Sequence, residues 1–216
     1  MTEIIQHVKE HVKKVFSADT TGHDWHHIER VYIMACYLQE HEGGDREVIE
    51  LAALLHDISD HKLNGGKLND GARVAEIVLK KYNCPEELLQ KVCDIIDRVS
   101  FKGAHVTDIM ESLEGKIVQD ADRLDSIGAI GIARAFAFGG SKNRPMYQPE
   151  VGHELHSDFE TYANAKSHTI NHFYEKLLLL KSRLHTLTAI HIGQERHDFM
   201  ESYLQQFYRE WNGNND

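Results

Sequence analysis

Three short stretches hold the side chains that could do chemistry in this chain. GHDWHHIERV, from Gly22 to Val31, packs His23, His26 and His27 with Asp24 into ten residues. His56-Asp57 closes the apolar run LAALLHDI, and QDADRLDSIG sets Asp120, Asp122 and Asp125 among apolar neighbours. Imidazole nitrogen and carboxylate oxygen together form the donor set of a divalent ion that keeps positions open for water and a substrate oxygen. With 16 histidines in the chain, residue type alone identifies no ligand. Facing decides, because ligands of a buried ion must point the same way as the apolar residues that seal it.

Helix geometry supplies the facing. If Asp24 is the N-cap, Trp25 is the first helical residue and His27 lies one step of four before Val31, on the inward side. His26 is turned away by about 100°, toward Arg30, and His23 precedes the cap. His56 and Asp57 are adjacent, and adjacent helix positions diverge. Both reach one ion only if it sits over the end of their helix, where Ser59-Asp60 signal a break. On the wheel, Asp122 shares its side with Val118, Ser126, Ala129 and Ala133, whose small side chains leave room for an ion, while Asp120 lies nearly opposite with Leu124 and Ile127. Any one of these groups alone reads as a satisfied histidine or an acid paired with Arg123 or another cation. Together they favour a metal site.

The elements that must position them are helical throughout. Ile4, Ile5, Val8, Val12, Val15 and Phe16 mark a first helix behind Thr2, and Val31, Met34, Ala35 and Leu38 a second that ends at Gly43-Gly44. Asp45 caps REVIELAALLHDI, apolar nearly all round and so buried. Helices resume from Asn69 to Tyr82 and again near Pro85. Lys116 to Phe138 reads as the central helix, and the tail is helical in two further stretches. No strand alternation persists, so the class is all-α, with no linker rich enough to divide residues 1–216 into domains. One long stretch, Gly139 to Asp158, has no period, and loops of that length are functional or disordered.

Composition narrows the function. At 216 residues, 41% hydrophobic and 27% charged, the chain is that of a globular protein. Its net charge of 24 − 34 = −10 argues against a nucleic-acid or anionic-membrane partner. Cys36, Cys84 and Cys93 form no CxxC pair, which suits a reducing cytoplasm. The N-terminus lacks an apolar signal core, and no apolar run approaches membrane-spanning length.

The pattern of His27 in HIERV, His56-Asp57 in LAALLHDI and Asp122 in DADRLD resembles the HD-domain superfamily of metal-dependent phosphohydrolases. SFKG at Ser100 to Gly103, DADRLDSIGAIGIAR, NHFYEKL and ERHDFM extend the likeness, closest to the small stand-alone bacterial members, over almost the whole chain. The resemblance implies one compact helical HD domain, its motif core at about residues 20–140 with C-terminal helices packed on it. It implies one divalent ion, manganese or magnesium favoured over iron, cobalt, nickel or zinc, held by His27, His56, Asp57 and Asp122. Asp57 and Asp60 are then the catalytic carboxylates, Asp60 placed to position the attacking water. Lys62 and Lys102 are candidates to hold substrate phosphates, Asp125 to touch substrate, and Arg144 or Tyr147 to meet it from a lid formed by the irregular segment. The expected substrate is a small nucleotide, with (deoxy)nucleoside triphosphates first. The competing reading is a metal-holding nucleotide sensor or scaffold without turnover. A homodimer is compatible with either.

Overall fold

The computed structural model describes residues 2–17, 24–58, 70–99, 109–153 and 167–213. Among them are nine α-helices, two single-turn 3₁₀ helices and no strand, so the all-α class holds. The described residues form two compact units, one drawn from Met1–Phe101 and Thr107–Asp122, the other from Arg123–Asp216.

In the first unit, α1 (Glu3–Val15) buries Ile5, Val8 and Val12 at helical spacing, while Thr2 occupies the cap position without a side-chain bond. The helix α2 (Trp25–Glu42) starts where the Asp24 carboxylate accepts the His27 N–H at 2.9 Å. It ends at Gly43, whose φ of +84° is a left-handed conformation that glycine enters freely. The next helix, α3 (Arg46–Leu55), starts under the Asp45 carboxylate, which accepts from the N–H groups of Glu47 and Val48. Every residue from Val48 to Leu55 is buried, including Glu50, which Arg46 holds at 2.7 Å. The reason is position: α1, α2 and α5 (Glu86–Val99) all pack on α3, and α4 (Gly71–Lys81) packs on α5.

The helix expected from Lys116 to Phe138 is two helices, α6 (Leu113–Asp125) and α7 (Gly128–Ser141). Ile127 between them is extended, and Gly128 has φ +73°. Apolar periodicity runs through this break because both helices are buried on the same period, and period reports burial rather than continuity. A Cβ on Gly131 would collide with the Ser126 carbonyl.

In the second unit, α7 packs on α8 (Thr169–Glu175) and on α9 (Leu187–Trp211). Phe136, Phe173, Tyr203 and Phe207 join them, with ring centroids 6.0–6.5 Å apart. Arg134 and Arg196 close the break: Arg134 donates to the Asp125 carboxylate at 3.0 Å, and Arg196 donates to the Leu124 carbonyl. The described part of the irregular segment is fastened down. Thr169 and Ile170 donate their N–H groups to Pro145 and Met146. The His168 ring accepts the Asn171 N–H at Nδ1, so its Nε2 carries the proton donated to Val151.

Two stability effects follow. At Gly128 a Cβ would lie 3.0 Å from Arg196 Cβ and Cγ. Left-handed backbone costs a non-glycine residue about 1–2 kcal/mol, so Gly128→Ala should lose at least that in urea denaturation; wild-type stability would refute the account of the break. His172 is pushed down to about 3, first by burial and then by Lys176 and Arg144, from an ordinary 6.5. A histidine held neutral contributes stability that is complete above pH 6.5 and is lost as pH falls toward 3. Urea melts between about pH 7 and pH 4 should therefore show a shallower acid loss for His172→Gln than for wild type. Equal slopes would remove His172 as a cause.

Candidate metal centre

Three pieces of the first unit deliver donors to one place. The Asp24 cap sets the phase of α2, leaving His26 73% exposed beside Glu29 and His27 only 1% exposed. The chain turns immediately after α3, with His56 as its C-cap, so His56 and Asp57 leave the helix at its end and converge. Asp122 comes from the last turn of α6. His27 Nε2 lies 3.2 Å from His56 Nε2, 3.4 Å from Asp57 Oδ2 and 3.6 Å from Asp122 Oδ1. His56 Nε2 lies 3.6 Å from Asp57 Oδ2 and 3.9 Å from Asp122 Oδ1.

These donors fit a divalent ion. Bonds of about 2.0–2.2 Å put neighbouring donors of a six-coordinate ion about 3 Å apart, close to the spacings observed. His56 Nδ1 is 2.8 Å from the Ala53 carbonyl. A carbonyl only accepts, so Nδ1 carries the proton and Nε2 presents its lone pair to the cluster. The two imidazoles are 1% exposed and the Asp57 and Asp122 side chains 24% and 28%. The histidines thus form a sealed floor and the carboxylates the open side. Thiol chemistry is disfavoured: burial raises Cys36 and Cys84 and pushes Cys93 up to about 11, so the thiols stay protonated.

Other residues singled out from the sequence fall elsewhere. Asp60, Lys62, Lys102 and His23 lie outside the described residues. Asp120 is fully buried. Asp125 is buried and ion-paired with Arg134. Arg144 lies over the Phe138 ring, and Tyr147 packs against His168, Phe207, Tyr208 and Trp211, all within the second unit. One contributor to the site escaped the sequence reading: the Ala53 carbonyl, which carries no side-chain signal.

Comparison with known proteins places this geometry. The HD domain family matches residues 24–127. YpgQ of Bacillus subtilis is 38% identical over 208 residues, 95% of this chain and 92% of that protein. A crystal structure of YpgQ in complex with ADP aligns with TM-score 0.76 and 34% identity, covering 98% of this chain and 100% of the other. A Lactobacillus plantarum protein aligns with TM-score 0.87 and 33% identity over 99% of both chains. An HD-superfamily hydrolase from Bacillus thuringiensis aligns with TM-score 0.74 and 41% identity over 96% of both. The matched family span runs from the cap of α2 to the break after α6 and encloses all four donors, and relatives of this identity cover nearly the whole length: the chain belongs to the HD domain superfamily of hydrolases.

Proposed function

We propose that this chain is a metal-dependent phosphohydrolase cleaving a phosphate ester or anhydride of a nucleotide, with (deoxy)nucleoside triphosphates as the first substrate class. The observation that carries the reading is the convergence of two imidazole nitrogens 3.2 Å apart with an Asp57 oxygen 3.4–3.6 Å and an Asp122 oxygen 3.6–3.9 Å from them, the carboxylates on the open side. The ADP complex of YpgQ supports a nucleotide as the ligand class.

His27, His56, Asp57 and Asp122 would hold the ion, with manganese or magnesium suited to the oxygen-rich half of the set. When bound, it supplies Lewis acidity and neutralises charge on a phosphate oxygen. The chain's own residues do the rest. Ala53 keeps the His56 proton on Nδ1, so Nε2 faces the cluster. The buried imidazoles exclude water from below, and Asp57 and Asp122 face the approaching substrate. Asp60 would orient the attacking water and Lys62 and Lys102 the phosphates. No helix among the described residues is long and apolar enough to cross a membrane.

Replacing His27, His56, Asp57 or Asp122 by Ala should strip the ion and abolish turnover, because each removes a metal bond. His26→Ala and Asp120→Asn should keep metal content near wild type by elemental analysis. Loss from His26→Ala with retention in His27→Ala would overturn the helix-facing argument. A screen of phosphate and pyrophosphate release over nucleotides with several divalent ions tests the reaction itself. Release from at least one nucleotide is expected; silence across the panel with metal bound would favour a sensor without turnover.

A further inference from the structure

Asp122 stands apart from the other donors. His27, His56 and Asp57 come from α2 and the end of α3, which pack directly on one another, whereas Asp122 depends on where α6 stands. Two side chains tie α6 in place within the first unit. Near its start, Glu114 Oε1 accepts the N–H of Asp45, the cap residue of α3, at 2.9 Å. One turn before Asp122, the fully buried Gln119 donates from Nε2 to the carbonyls of Arg98 at 3.4 Å and Val99 at 3.3 Å. Those carbonyls belong to the last turn of α5, where a helix leaves its C=O groups without intrahelical partners.

An apolar side chain would satisfy the packing at position 119. A buried amide is costly unless it is bonded, so its presence between Val118 and Asp120 is explained by what it holds. Gln119 and Asp122 are three residues apart and lie on the same side of α6. Anchoring one therefore fixes the height and rotation of the other.

We propose that Gln119 is a positioning residue that sets the reach of Asp122 into the metal centre by locking α6 to the end of α5. The proposal rests on the reading of Asp122 as a ligand. With Gln119 in place, Asp122 Oδ1 stands 3.6 Å from His27 Nε2 and 3.9 Å from His56 Nε2. With those two hydrogen bonds removed, α6 can shift or turn, and Asp122 loses its reach to the donors of α2 and α3.

Cobalt titration followed by visible absorption reads affinity and coordination geometry together, without turnover. Gln119→Met keeps the side-chain length and removes the donors. It should weaken cobalt binding about tenfold or more, the scale of losses when groups orienting a ligand are removed, and move the spectrum toward that of Asp122→Asn. Circular dichroism of the metal-free variant should remain wild type. If Gln119 acts through Asp122, adding Gln119→Met to Asp122→Asn should cause no further loss. Unchanged affinity and spectrum in Gln119→Met, or losses that add in full, would overturn the proposal. Should Gln119→Met fail to fold, Gln119→Asn, whose amide is one methylene too short for carbonyls already at 3.3–3.4 Å, carries the same expectation. An Asp122→Asn protein indistinguishable from wild type would instead sink the ligand reading, and the positioning role with it.

Discussion

Two imidazole nitrogens 3.2 Å apart, with carboxylate oxygens of Asp57 and Asp122 each 3.4–3.9 Å from both, form an arrangement that the chain must hold against its own electrostatics. The imidazoles are taken out of water, and the carboxylate charges are brought onto the same point. A divalent cation would satisfy lone pairs from both kinds of donor at once. The free energy of its binding would then also be folding free energy for α2, the end of α3 and α6, which have to arrive together. Much of the first unit can be understood as the means of that arrival. The Asp24 cap sets the phase of α2, the turn after α3 lets neighbouring residues converge, and the burial of α3 among α1, α2 and α5 gives the centre a fixed wall.

Features that rest on local geometry could be read from the sequence. A cap residue determines helix phase, so His27 separates from His26 by angle alone, and the same reasoning separates Asp122 from Asp120. The need for a helix end beneath His56-Asp57 follows from the divergence of adjacent side chains, and the structure places the C-cap at His56. The all-α class rests on periodicity that recurs along the chain.

Features that rest on pairing between distant residues could not be read in this way. Asp125 and Arg134 are nine residues apart and meet only because the chain breaks between them. The break depends on one glycine at positive φ inside an unbroken apolar pattern. The irregular stretch after α7 has no period of its own because its order comes from elsewhere: main-chain bonds to Thr169 and Ile170 and the rings around Tyr147 hold it. A segment can lack every local signal of structure and still be anchored by residues twenty positions further on.

Charge on the open side of the centre sets a condition for any phosphate-bearing substrate. Asp57 and Asp122 contribute two negative charges at the exposed face, in a chain whose net charge is −10. A divalent ion cancels those two charges and leaves the local sum near zero, so the field alone does not draw an anion in. Attraction must then come from direct bonding to the ion's open positions and from further cations placed around the rim. Bonding of the first kind recognises a phosphate oxygen on any molecule. Discrimination among phosphate-bearing molecules would accordingly belong to the rim, so a shared set of metal donors need not mean a shared substrate.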